Sequence, residues 1–289
     1  MRSFLTSLLI LLSVATAPAR LSVCVVQQPA GDAFSSFCID ESGAVHQGGE
    51  ENWEPASTES CPVAGPYDIT AVYDAVDEHI LLFALAGDGS AYIVGPTEWI
   101  ELAKLGEGDY RLSGCTDAGG QSALLFTIDT GGAVATYTGE GWAPVLEPVP
   151  GPEPFDIHAF ATPGEEVFFI DVINGDGVIH RAYGNRWLEI DAGINGEAPF
   201  SLSAYNSDEA AYHFVADAAG HFWMLEDGAV INQITGSADG ALPYDMDVYI
   251  NRETDTLAVL LCDSHGVIYN TDGEGWLPQN PGLEVLEVD

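Results

Sequence analysis

The sequence predicts an all-β fold, a six-bladed β-propeller of four-stranded antiparallel blades, on three observations. Tryptophans recur at a near-constant spacing, a glycine stands ten residues ahead of each, and the segments between read as short strands without a helical period.

Trp53, Trp99, Trp142, Trp187 and Trp276 are separated by 46, 43, 45 and 89 residues, the last gap spanning two periods with Val230 in the intermediate register. Ten residues ahead of these six positions stand Gly43, Gly89, Gly132, Gly177, Gly220 and Gly266, closing polar turns such as AGDG, DTGG and NGDG. Glycine there supplies the positive φ of a tight hairpin, and the alternating stretch that follows (SAYIV, VIHRAY, VIYN) reads as the strand leaving it. The apolar run before each glycine (ILLFALA, SALLFTI, VFFIDV, AYHFVA, TLAVLL and, more weakly, AFSSFCI) reads as a central strand buried on both faces. Earlier still, an aromatic residue opens an alternating strand in PYDITAVY, DYRLSGC, PFDIHAF, PFSLSAY and PYDMDVY, with proline placed where a strand begins. A second turn, TGEG or DGEG, leads into a short strand that starts at the tryptophan.

Each unit of about 45 residues thus holds four strands in up-and-down order and cannot bury both faces of its sheet alone. Radial stacking buries those faces and leaves only short, protected edges. The blades are expected at about 20–65, 66–108, 109–153, 154–198, 199–242 and 243–289, forming one domain. The tail LEVLEV looks like a further copy of a first strand, so it and the N-terminal strand compete for one slot in the ring.

Residues 1–19 carry Arg2, an apolar run and then small residues ending at Ala19, the pattern of a secretory signal peptide cut near Ala19. The run is too short for a membrane span, and the mature chain is expected in a secreted or periplasmic setting. Lys and Arg total 7 against 45 Asp and Glu, a formal net charge of −38, and Lys104 is the only lysine. Such a polyanion repels nucleic acid and anionic membranes, and its composition fits a marine or salt-adapted protein. The five cysteines are too few and scattered for a disulfide framework or a clustered metal site. A hairpin turning at Gly31 would set Cys24 against Cys38; Cys38 with Cys61, and Cys38 with Cys262 across a blade boundary, are rival pairings.

In its order of strands and turns, best shown by ITAVYDAVDEHILLFALAGDGSAYIVGPTEW, the unit resembles the repeats of six-bladed fungal fucose-binding lectins and, more loosely, tectonin-type repeats. The resemblance implies the fold. In that family sugar is gripped between blades by an arginine of the second strand, a glutamate of the third and a late aromatic residue. Here Leu81, Leu124 and Phe168 stand in the arginine's place, and Gln47, Ile93, Thr136, Arg181, Met224 and Asn270 in the glutamate's, so that mechanism is not implied.

If the first strands lie innermost, they present Arg20, Asp68, Arg111, Asp156, Ser201 and Asp245, and two positions on Ser22, Thr70, Ser113, His158, Ser203 and Asp247. Arg111, Asp156, His158, Asp245 and Asp247 could then line a central channel as a ligand site or an acid and base pair. The same residues also read as caps that hydrogen-bond neighbouring blades, the commoner role. Three residues after the turn glycine come His46, Tyr92, Ala135, His180, Trp223 and Tyr269. His180, Trp223 and Tyr269 are candidates for stacking on a sugar, against packing as the alternative. DVINGDG, with Asp171, Asn174 and Asp176, only faintly resembles a calcium loop and lacks the alternate ligands and distal glutamate, so no cofactor is expected, with calcium as the weak alternative. No nucleophile elbow, zinc-ligand spacing or phosphate loop occurs. The function expected is a non-catalytic, monomeric binding module for a glycan or protein. A propeller hydrolase or lyase using channel carboxylates and His158, or a structural envelope or matrix protein, are the alternatives.

Overall fold

A computed structural model describes residues 22–27, 34–48, 53–117, 122–161, 167–190, 192–206, 210–234, 244–251, 256–263, 267–271 and 276–279. The expected signal peptide at 1–19, Arg20, Gly266 and the tail at 283–288 lie outside these residues. The strands form six four-stranded antiparallel sheets, each in sequence order, as the repeat predicts. Their innermost strands are Ser22–Gln27, Tyr67–Asp74, Tyr110–Thr116, Asp156–Ala161, Ser201–Asn206 and Asp245–Asn251, in blades 1 to 6 respectively. Each packs beside the next and the last beside the first, so the N-terminal strand itself closes the ring between blades 6 and 2. Among the described residues no helix is long and apolar enough to cross a membrane.

The turn glycines behave as the repeat requires. Gly43, Gly89, Gly132, Gly177 and Gly220 have φ between 76° and 81°. A second device, which glycine spacing did not reveal, locks most of these turns. Asp40, Asp129, Asn174 and Asp217 each accept two backbone N–H groups, two and four residues on, through one side-chain oxygen. Blade 2 has Ala86 at that place and uses Asp88 for Ser90 N–H instead. The turn of blade 2 is also crowded: a Cβ on Gly89 would lie 2.0 Å from the Gly106 carbonyl oxygen, whereas a Cβ on Gly139, at φ 86°, meets open space. Gly89→Ala is therefore expected to destabilise by about 2 kcal/mol or more in denaturant titrations, and Gly139→Ala by only about 1 kcal/mol, from the left-handed backbone alone.

The recurrent tryptophans have a physical reason as well. The indole N–H of Trp99 donates to the Glu59 carbonyl and that of Trp187 to the Glu147 carbonyl, so the outer strand of one blade ties down the chain leaving the blade before. At the equivalent place Val230 has no such donor and is 42% exposed.

The core lies between blades. Alternate residues of the first two strands face opposite neighbours, so each interface is a layer such as Ile39, Ile69 and Ala84 between blades 1 and 2, or Ile173, Leu202 and Val215 between blades 4 and 5. Register decides which residues share a layer. The second-strand partners of Ser22, Asp68, Arg111, Asp156, Ser201 and Asp245 are Ile39, Leu85, Ile128, Ile173, Ala216 and Cys262, each four residues before its turn glycine. Ser22 therefore holds the place in blade 1 that the sequence had assigned to Arg20, and Cys24 the place assigned to Ser22.

The same register corrects the hairpin turning at Gly31. Cys38 pairs with Val23 and Cys24 with Phe37, one residue away from the alignment that would join them. Because side chains alternate, that single step puts the two sulfurs on opposite faces of the sheet: Cys24 packs towards blade 2 and Cys38 towards blade 6. All five cysteines are thiols in this structure.

Candidate functional site

The innermost strand of every blade turns an unpaired hydrogen-bonding edge to the axis, and its N–H groups need acceptors there. The carboxylates and hydroxyls at the level of Asp68 and Asp156, and two residues further along each strand, are among those acceptors. Asp68 accepts Leu112 N–H of blade 3 at 2.8 Å, Asp156 accepts Leu202 N–H of blade 5 at 2.8 Å, and Asp245 accepts Val23 N–H of blade 1 at 2.8 Å. From the other side Ser22 donates to Asp68 at 2.5 Å, Ser201 donates to Asp245 at 3.5 Å, and Arg111 lies 3.9 Å from Asp156. Acceptors on blades 2, 4 and 6 thus alternate with donors on blades 1, 3 and 5, and the belt runs right round the axis. A second tier lies above it: Ser113 accepts Ala159 N–H, while Asp247 accepts Val25 N–H at 2.7 Å and the Ser203 hydroxyl at 3.0 Å.

Arg111, Asp156, Asp245 and Asp247, read from sequence as channel ligands, are brought together at the axis, and each serves this blade-to-blade bonding. The capping role is the one the geometry displays. Burial pushes the Asp247 carboxyl above the ordinary aspartate range, opposed by the nearby His158 and by three hydrogen bonds. Burial, with Asp247 and Asp245 beside it, likewise pushes the Cys24 thiol well up.

Above the belt the channel widens into a cavity of about 320 Å³. Its floor is the buried Asp68, Asp156 and Asp245, and its rim is formed where the innermost strands end, at the exposed Ala75 with Tyr73, Thr116 and Tyr205. His158 stands in the wall next to Phe160, ring centroids 6.0 Å apart, and among the described residues its imidazole makes no hydrogen bond. Of the five channel candidates, His158 is the one that reaches this cavity without a hydrogen bond to any described residue.

His180, Trp223 and Tyr269 do not line a surface pocket. Each is buried, at 4%, 4% and 7% exposure, with Trp223 and Tyr269 packed into the layers between blades 4 and 5 and between blades 5 and 6. His180 lies 3.3 Å from the Asn174 amide, and burial pushes its imidazole down towards the neutral form. The large flat rings fill inter-blade space, which is the packing alternative. The faint calcium loop also dissolves: the Asn174 carbonyl oxygen is spent on Asp176 and Val178 N–H, and Asp171 is engaged elsewhere. Asp74, Asp77 and His79, on the hairpin beside the rim, bring ligand atoms within 4.8 Å of one another, but Asp74 already accepts Val76 and Asp77 N–H.

Sequence reasoning missed one charged cluster. Arg181, in blade 4, donates to both oxygens of Asp171 at 2.8 and 2.7 Å, and His213, from blade 5, lies 2.8 Å from Asp171 Oδ2. The guanidinium also stacks on Phe169 and Phe160, at 4.7 and 5.6 Å from the ring centroids. Burial would raise the Asp171 carboxyl, but hydrogen bonds from Arg181 and His213 outweigh it and hold it below the ordinary value. In sequence Asp171 stands beside a turn only faintly like a calcium loop and Arg181 in the place of a lectin residue; only the strand register, Asp171 opposite Arg181, joins them.

No protein-family model matches the sequence, and no curated protein matches it either. Solved structures do. The SapL1 lectin in complex with α-methyl fucoside superposes with a TM-score of 0.63 at 13% identity, covering 90% of this chain and 95% of that one. AofleA from Arthrobotrys oligospora gives 0.61 at 12% identity over 90% and 85%. The fucose-specific lectin of Aleuria aurantia, described as a six-bladed β-propeller, gives 0.56 at 15% identity over 90% and 94%. At these identities the likeness is one of fold, and the chain is a six-bladed β-propeller similar in architecture to fucose-binding lectins.

Proposed function

We propose that the mature chain is an exported, non-catalytic, monomeric binding module, and that its ligand is a neutral or amine-bearing saccharide terminus entering the channel mouth. The observation that carries this reading is the cavity itself. At about 320 Å³ it lies at the small end of ligand pockets, the scale of one sugar ring. Tyr73, Phe160 and Tyr205 give it aromatic surface, while His158 supplies a polar partner for hydroxyl groups. Asp68, Asp156, Asp245 and Asp247 line the cavity and the chain carries a formal net charge of −38, so the site disfavours sulfated, phosphorylated and uronic-acid ligands. The lectin-like scaffold and the apolar leader support the same reading.

A glycan array probed with the mature protein at high salt is expected to show neutral or amino-sugar termini and no sulfated or uronic ones. An empty array, or binding confined to anionic glycans, overturns the saccharide reading and leaves a protein ligand. One observation favours a hydrolase or lyase instead, namely the proximity of His158 to a carboxyl with a raised pKa, Asp247. Both Asp247 oxygens, however, are occupied by Val25 N–H, Val248 N–H and Ser203. Release of reducing sugar from any array-positive glycan would restore the enzymatic reading.

A further inference from the structure

The ring has one junction that the chain does not cross continuously, that between blade 6 and blade 1. Five interfaces join consecutive blades, and at each the second strands contribute one residue from either side. The earlier blade gives the residue opposite the first belt position, and the later blade gives the residue one place before its own equivalent. These pairs are Ile39 with Ala84, Leu85 with Thr127, Ile128 with Val172, Ile173 with Val215, and Ala216 with Leu261. In four of the five both members fall in one apolar layer. The sixth pair, at the closing junction, is Cys262 with Cys38, and these two share a layer with Val23 and Leu260. Each is 1% exposed.

We propose that Cys38 and Cys262 form a redox site whose disulfide locks blade 6 onto blade 1. Two cysteines that share one buried layer only where the ring must be closed by contact alone fit a staple better than two unrelated small apolar fillers. A link here spans most of the chain, the case in which loss of unfolded-state freedom is largest. The other three cysteines do not compete for this place: Cys24 packs between blades 1 and 2, Cys61 lies against that same layer, and Cys115 belongs to the layer between blades 3 and 4.

The chemistry needs an external disulfide, that of a thiol–disulfide oxidoreductase or of glutathione. One cysteine thiolate attacks a sulfur of that disulfide, forming a mixed disulfide and releasing one thiol. The second thiolate then attacks the protein sulfur of the mixed disulfide and releases the other thiol. The protein loses two protons and two electrons, and the oxidant becomes two thiols. Burial raises the Cys38 thiol strongly, so exchange belongs to the stage before blade 6 docks on blade 1.

The test is refolding of the full mature chain in a glutathione redox buffer, alkylation of the remaining thiols in denaturant, and peptide mass spectrometry. The expected result is a Cys38–Cys262 linked peptide with Cys24, Cys61 and Cys115 alkylated. Dithiothreitol should then lower Tm by roughly 5–15 °C. The Cys38→Val/Cys262→Ile variant, which copies the pair of blades 3 and 4, should not respond to dithiothreitol. Five alkylated cysteines in folded protein, or a link between any other pair, overturns the proposal. The wild-type peptide map decides this even if the variant fails to fold, and neither outcome depends on what the channel binds.

Discussion

Asp171→Ala is expected to cost about 3–5 kcal/mol of stability and to lower Tm by roughly 10 °C, a larger loss than any single cap in the belt. The carboxylate is fully buried and carries two hydrogen bonds from Arg181 and one contact from His213, so its removal leaves a largely buried guanidinium without its counter-charge. Breaking one side of such a cluster is costly, whereas replacing all of it by apolar groups of similar volume need not be. Asp171→Leu combined with Arg181→Met and His213→Phe should therefore recover much of the loss. Urea titration of the single and triple variants checks this, and a single variant within about 1 kcal/mol of the parent would mean that Arg181 simply swings to solvent. The pH dependence has a definite sign. The Asp171 carboxyl is held below its ordinary value in the folded chain, so its contribution is complete above the ordinary aspartate pKa of about 3.9 and is lost as pH falls through the lower folded value. Asp171→Ala should accordingly flatten the stability curve on the acid side of pH 4 while lowering it throughout the neutral range.

Why this cluster escaped the sequence, when the blades did not, has a physical explanation. Blade number depends on local signals that recur with the repeat: Gly89 must take a positive φ, Trp99 must reach the Glu59 carbonyl, and ILLFALA must be buried on both faces. The first and last are written within one unit, and the second reaches only to the chain leaving the blade before. Asp171 and Arg181 lie ten residues apart on neighbouring strands, and His213 belongs to the next blade, so their meeting depends on strand pairing and on ring closure together. The Cys24 and Cys38 pairing failed for a related reason. An alternating pattern fixes which residues share a face only after the register is known, and a hairpin centre misplaced by a single step in the sum inverts it. The axial residues were found, but their two roles could not be separated: a carboxylate that caps a neighbouring N–H and one that faces an open cavity look alike in sequence. The third-strand rings misled in the same way, since Trp223 buried between blades and a tryptophan on a sugar share one composition.

Asp156 and His158 allow the two roles to be separated by experiment, because they stand two residues apart on one strand. Asp156→Ala removes the acceptor of Leu202 N–H and the carboxylate facing Arg111, so it is expected to cost about 2–4 kcal/mol and to loosen the contact between blades 4 and 5. His158→Ala removes a ring that bonds no described residue and only enlarges the cavity, so stability should change by less than about 1 kcal/mol. Binding should respond in the opposite order. With a saccharide identified on the array, His158→Ala is expected to weaken Kd by about tenfold or more, equivalent to about 1.4 kcal/mol, measured by calorimetry well below the melting transition. The folded fraction of Asp156→Ala should bind with little change, because its carboxylate already serves the scaffold. Equal losses of affinity in both variants would place the ligand on the belt itself, and no loss in either would move the binding surface away from the channel to an outer face of the propeller. The separation matters because stability and recognition then draw on different residues of a single strand. The carboxylates hold six noncovalently stacked sheets in a ring, and that ring gives His158 a fixed position in the wall of the cavity.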